Sequence, residues 1–142
     1  MTYSKRIETM RVIAGGHPSL SQSNKIQAIY GEFNSIKSCF RRKGAAGWLL
    51  SVLYTTRALD TCLSEIISSK HWTPKGAALG GYLKELEARA VLTAVERQLY
   101  QATVVKKRNR YMHEAGATPS NVEADRILTD MHACFVIVTS RV

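Results

Sequence analysis

The sequence predicts an all-α protein, an antiparallel bundle of about five helices in one domain spanning residues 1–142. Three observations predict it. Apolar residues recur at spacings of three and four nearly everywhere, which marks one face of a helix. No window shows convincing period-two alternation; the closest, Val136 to Thr139, continues a helical pattern. Prolines number only three, and the breaking signals fall between the apolar runs.

Residues 3–13 form a short first helix, ended by Gly15-Gly16 and Pro18, so that 1–20 reads as a short helix and loop preceding a core bundle of 21–142. Over residues 21–43, Ile26, Ile29, Phe33, Ile36 and Phe40 share one face, and Gly44 and Gly47 then mark a turn. Residues 46–68 carry a broad apolar side of Trp48, Leu49, Val52, Leu53, Leu59, Leu63, Ile66 and Ile67. A loop over 70–76 contains Pro74. A shorter helix follows with Leu79, Tyr82, Leu83 and Leu86, weakened by Gly80-Gly81. A long helix covers 89–113, with Leu92, Val95, Leu99, Ala102 and Val105 along its expected core face, and Gly116 as its stop. Thr118 before Pro119, and Ser120 three ahead of Glu123, announce the last helix, which buries Ala124, Ile127, Leu128, Met131, Phe135 and Val138. No internal repeat, linker or low-complexity stretch interrupts this order.

Hydrophobic residues make up 45 % of the chain, enough for a real core, which excludes a disordered protein. Twenty Lys and Arg against eleven Asp and Glu give a net charge of +9. A small protein so basic is drawn to polyanions, chiefly nucleic acid or anionic membrane surfaces, although the same charge also serves solubility. Cys39, Cys62 and Cys134 are odd in number, widely spaced and set in apolar runs, so buried free thiols and no disulfide framework are expected. That fits a reducing, cytoplasmic setting. The start of the chain mixes Lys5, Arg6, Glu8 and Arg11 into its apolar residues and has no secretory signal pattern. The most apolar segment, Gly47 to Tyr54, is too short to span a bilayer, so no membrane association is expected.

No GxxxxGK[ST] loop, GxGxxG or GxSxG elbow is present, so the common phosphate-loop, dinucleotide and hydrolase signatures are missing. His17, His71, His113 and His132 are scattered, and His132 and Cys134 fall on different helix faces, so no metal site and no cofactor are expected. The informative stretch is Lys106-Lys107-Arg108-Asn109-Arg110-Tyr111-Met112-His113. Four of its first five residues are basic. In the bland reading this is a solvated face. Asn109 and His113, however, are one turn apart on a single face, which on α-helical spacing continues Ala102 and Val105. Arg108 points about 100° away from Asn109, yet its length lets it reach round to a phosphate. A fixed cation, an amide and an imidazole thus share one turn.

Breaking RNA without a metal needs such parts. A base takes the 2′-hydroxyl proton, an acid protonates the leaving 5′-oxygen, and a cation stabilises the charged phosphorane. Histidine titrates near neutrality, and the planar guanidinium binds two phosphate oxygens. One copy offers a single histidine in this stretch; a symmetric homodimer would bring two into a composite site. Lys106, Lys107 and Arg110 are the flanking candidates for RNA contact. Arg41-Arg42-Lys43 is a second basic cluster, favoured at a helix C-terminus by the dipole alone. Trp48 and Trp72 are expected as core or loop anchors rather than base-stacking platforms. Asp60 lies in a seam of Leu49, Leu53, Thr56, Leu63 and Ile67. A local pair with Arg57, or a seam edge open to water, is its simplest explanation.

Arg108-Asn109-x-x-x-His113 resembles the R-x4–6-H signature of HEPN-domain ribonucleases, in which a polar residue often follows the arginine. The match fixes three residues; the likeness over 21–142 is one of pattern. It implies a four- or five-helix bundle, usually a homodimer, with catalytic Arg108, Asn109 and His113 at the interface. It also implies metal-independent cleavage leaving 2′,3′-cyclic phosphate ends, in toxin–antitoxin pairs or antiviral defence, and offers Asp60 a second role in orienting Arg108 or His113. One branch, paired with nucleotidyltransferase antitoxins, often carries a tyrosine two residues after the histidine; here Ala115 stands there and Tyr111 lies two before it. Two other functions suit the same residues: a HEPN-like module that binds nucleotides or RNA without cutting, and a helical interaction subunit of a larger complex.

Overall fold

The computed structural model describes all 142 residues. The elements are α1 (Tyr3–Gly16), α2 (Pro18–Ser21), α3 (Ile26–Arg42), α4 (Ala45–Ser69), α5 (Leu79–Ala88), α6 (Ala94–Tyr100), a π-helical turn (Gln101–Val105), α7 (Lys106–His113) and α8 (Asn121–Arg141). There are no strands, as expected. α6, the π turn and α7 form one continuous rod, so the bundle has seven helices rather than about five. The helix not expected is the single turn α2; α1, expected over 3–13, runs on to Gly16.

α4 is the axis. It touches α2, α3, α5, α7 and α8. α3 and α4 form a hairpin across Lys43 and Gly44, both with positive φ (58° and 87°). The two helices close so tightly above this turn that a Cβ on Gly47 would lie 3.0 Å from the Cys39 carbonyl oxygen. α8 crosses α4 and α1 on the other side. Between them lies one core, in which Phe33 and Phe135 meet edge-to-face at 6.4 Å. Each such ring contributes about 1.5–3 kcal/mol by leaving water. Cys39, Cys62 and Cys134 are all buried and free, as expected.

The first twenty residues are not an appendage. Ile7, Met10, Ala14 and Leu20 belong to the same core, because α1 lies against both α3 and α8. The helix runs through Gly15 and Gly16, and only Pro18, opening α2, stops it. The helix expected from residue 21 starts at Ile26 after a turn. Gly80-Gly81 has a packing reason: a Cβ on Gly81 would come 2.5 Å from the Gly76 carbonyl oxygen. α5 can therefore start only where a glycine lets two backbones touch.

The helix expected from residue 89 starts at Ala94. Thr93 and Glu96 form a capping box: Thr93 Oγ1 accepts from the Glu96 N–H (3.1 Å), and Glu96 Oε1 accepts from the Thr93 N–H (2.8 Å). The same carboxylate takes two bonds from Arg141, at 2.7 and 3.1 Å, tying the end of α8 to the start of α6. Of the expected core face, Leu92 and Val105 are buried, but the members of that face between them are not. Val95 and Leu99 are 76 % and 49 % exposed and Ala102 is exposed too; Tyr100, Val104 and Tyr111 are buried instead. Two stripes competed, and Val95, Leu99 and Ala102 form the outer one, while Val104 and Val105 join the inner one. The buried stripe uses tyrosines and the stems of long basic residues, whose apolar bodies pack while their polar tips reach the edge. In the π turn the Lys106 N–H donates to the Gln101 carbonyl, five residues back.

Two outcomes follow from these contacts. Arg141, foremost, and the Thr93 N–H hold the Glu96 carboxyl down at about 2 from an ordinary 4.5. Its folded value lies below its unfolded one, so it stabilises the fold at neutral pH, and that contribution is lost as pH falls from about 4.5 towards 2. Glu96→Gln should lower the melting temperature at pH 7, with the deficit vanishing near pH 2; an equal deficit at both would contradict this. A π turn holds one residue more than an α turn. Deleting exposed Ala102 should therefore leave helix content and cooperative melting intact, as circular dichroism would read.

Candidate functional site

One edge of α4 remains uncovered by the bundle. Leu50, Leu53, Tyr54, Arg57 and Asp60 lie along it at helical spacing. Opposite stand Arg108 and Met112, one turn apart on α7. Together with Thr56 they enclose a cleft of about 440 Å³. One end is polar, with Asp60 and Arg108. The other is apolar, with Leu50, Leu53, Tyr54 and Met112. Leu50 and Tyr54 also line a smaller hollow with Ser35, Ser38, Cys39 and Arg42. From Asp60 to Leu50 the strip runs roughly 15 Å along α4. A guanidinium stands at either end of it, with the Tyr54 ring between.

The expected local pair of Asp60 with Arg57 does not form. Arg57 crosses to α3, where its Nε donates to Glu32 Oε1 at 2.7 Å, and its guanidinium lies 5.4 Å from the Tyr54 ring centre. Asp60 is half-buried and has neither a hydrogen-bond donor nor an ion-pair partner within the protein. Burial pushes its carboxyl pKa up, while Arg108 and then Lys25 pull it back down. Arg108 has no ion-pair partner either; its Nη1 donates to Asn109 Oδ1 at 3.2 Å. The structure thus brings Asp60, Arg108 and Asn109 together, and α7 supplies the fixed backbone for two of them.

His113 is not brought into this cleft. It is the last residue of α7, exposed and free of hydrogen bonds. Asn109 is exposed as well. Of the face that Asn109 and His113 were expected to continue, Val105 is buried in the core and Ala102 is exposed; Asn109 and His113 themselves stand in water. Among the flanking cations, Lys107 pairs with Glu123 (3.0 Å) and Arg110 with Glu114 (3.4 Å), Arg110 also lying over the Tyr111 ring. Lys106 is exposed and unpaired. Arg41, Arg42 and Lys43 stand exposed at the end of α3. Trp48 meets Phe40 edge-on at 5.9 Å, and Trp72 lies under Arg89 at 5.3 Å, so both anchor structure as expected. Tyr54 and Leu50 escaped sequence reasoning; Met112, expected with Tyr111 as a packing residue, is exposed at the cleft, whereas Tyr111 is buried. The signal that could have found Leu50 and Tyr54 was their helical spacing with Arg57 and Asp60 along one edge of α4; for Met112 it was its place one turn after Arg108 on α7.

No three His, Cys, Asp or Glu side chains converge in a way that would hold a metal ion. No helix is long and apolar enough to cross a membrane. No protein-family model, curated protein or solved structure matches the chain.

Asp60 provides a check on this geometry. Its folded pKa lies above its ordinary 3.8, so its charge opposes folding at neutral pH, and the opposition fades as pH falls through that raised value. Asp60→Asn should therefore raise the melting temperature at pH 7 and leave it unchanged below about pH 4. A loss of stability at pH 7 would mean that the carboxylate is satisfied by a partner.

Proposed function

We propose that this chain is a metal-independent endoribonuclease, acting in the cytoplasm on RNA. The 2′-hydroxyl oxygen attacks the adjacent phosphorus, the bond to the 5′-oxygen breaks, and a 2′,3′-cyclic phosphate and a 5′-hydroxyl end result. The observation that carries the reading is Arg108: an unpaired guanidinium, steadied by Asn109, at the mouth of a nucleotide-sized cleft. It is the group to receive the phosphate and to stabilise the phosphorane. His113, exposed and one turn beyond Asn109, supplies an imidazole that can carry a proton. Lys106 adds positive charge along the same edge.

The outer position of His113 makes a second copy of the chain part of the reading. Val95, Leu99 and Ala102 form an uncovered apolar stripe on the same rod. A twofold contact along that stripe with the two rods running parallel would bring two His113 side chains together, one for each proton transfer. A place in a toxin–antitoxin pair or in antiviral defence, with an antitoxin or effector as partner, follows from the HEPN resemblance of Arg108-Asn109-x-x-x-His113. A second reading, a nucleotide- or RNA-binding module without cleavage, is favoured by one observation: the cleft that holds Arg108 does not hold His113.

The test is incubation with end-labelled RNA in EDTA, beside His113→Ala and Arg108→Ala. Wild type should leave 2′,3′-cyclic ends. His113→Ala should slow cleavage by about 10²–10⁴-fold while still binding RNA. Arg108→Ala should slow it by about 10²–10³-fold. Binding by all three proteins without cleavage by any would replace this reading with the second. Full activity in a strictly monomeric protein would remove the shared site.

A further inference from the structure

We infer that Asp60 is the group by which the cleft tells RNA from DNA: its carboxylate accepts a hydrogen bond from a ribose 2′-hydroxyl while the neighbouring phosphate sits on Arg108. This rests on the reading of the cleft as a ribonucleotide site, but not on its cutting RNA.

An ionised carboxylate only accepts, at about four lone-pair sites, and the protein offers Asp60 no donor. Half-burial in the cleft strips part of the water from this carboxylate, so a ligand that donates to it restores part of that loss. Arg108 and Asp60 share the polar end of the cleft without forming an ion pair. Each is free to meet a different part of one ligand. Their signs sort those parts. Asp60 repels a phosphate, which therefore goes to Arg108, and the group next to Asp60 has to be a neutral donor.

A ribonucleotide presents that arrangement. Its 2′-hydroxyl lies beside the 3′-phosphate and is both donor and acceptor. Its base has two apolar faces, and the far end of the cleft is lined by Leu50, Leu53, Tyr54 and Met112. The volume falls in the range of small-ligand pockets, about 300–1,000 Å³. A deoxyribonucleotide fills the same space and leaves the carboxylate unmet.

The competing role for Asp60 is to steady Arg108. That role predicts equal loss of RNA and DNA affinity when Asp60 is removed, whereas ribose reading predicts a change in their ratio. The experiment is fluorescence anisotropy at pH 7 with oligouridylate, its 2′-deoxy counterpart and its 2′-O-methyl counterpart. All proteins carry His113→Ala so that the RNA survives. RNA should bind about tenfold more tightly than the other two. Adding Asp60→Ala should bring the three affinities together, with DNA binding unchanged or tighter. Asp60→Asn, which keeps an acceptor but loses the charge, should retain part of the preference. Circular dichroism confirms that each variant is folded.

No ribose preference, or a preference that survives Asp60→Ala, overturns the inference, as does equal weakening of RNA and DNA. RNA bound tightly and cleaved by the wild type, with no ratio dependent on Asp60, would remove the ribose reader and leave the ribonuclease standing. Failure to bind either polymer would remove both.

Discussion

The constraint on which the rest of the structure depends is the burial of α4. Between Gly47 and Ile67 only Arg57 is exposed. A helix apolar round most of its circumference is unstable in water until neighbours cover it. α3, α8, α5, α2 and α7 do so in turn, and their order round α4 sets the architecture. The cover is incomplete along one edge, because α7 is short and approaches only the middle of α4. The cleft is the space between them. Its polar end exists because Asp60 falls where α4 emerges from its cover, and Arg108 is the side chain of α7 that faces that point.

The rod of α6, the π turn and α7 therefore has two different faces. The inner one packs Tyr100, Val104 and Tyr111 and carries Arg108 to the cleft. The outer one carries Val95, Leu99 and Ala102, then Lys106, Asn109 and His113, to water. The cations divide as well. Arg6, Arg57, Arg89, Arg97, Lys107, Arg110 and Arg141 are engaged with carboxylates. Arg108, Lys106 and the Arg41–Lys43 cluster are not. Lys5, Arg11, Lys25, Lys37, Lys70, Lys75, Lys84 and Arg126 also lack a carboxylate partner, so the excess positive charge is spread over the surface, and the ends of the cleft share in it.

The helical class, the cores of α3, α4, α5 and α8, the Ser120 cap and the burial of all three thiols were legible because each depends on local periodicity or on a single residue type. The Thr93–Glu96 capping box was equally local, and its signature T-x-x-E stands in the sequence. The face of the α6–α7 rod was not legible. Counting aliphatics favours Val95-Leu99-Ala102, while the fold buries Tyr100, Val104, Val105 and Tyr111; only the neighbours α4, α5 and α8 decide between them. The site was legible in part. Arg108 and Asn109 stand together as their adjacency suggested, but Arg57 chose Glu32, 25 residues away on α3, over Asp60 one turn along α4. Sequence spacing ranks local partners and is blind to those that a hairpin brings across. α1 was underrated for the same reason: its apolar residues are sparse, and their worth depends on the groove between α3 and α8 that receives them.

The three thiols have a practical side. Cys39, Cys62 and Cys134 are all buried. Burial drives the pKa of each upward, that of Cys134 to about 12, so almost none of their sulfur is thiolate at neutral pH. Maleimide and methanethiosulfonate reagents attack the thiolate. A single cysteine placed at Leu99 or Val95 would be the one fast-labelling position of an otherwise unreactive chain. A spin label or fluorophore there reports on the outer stripe without a cysteine-free background having to be built first.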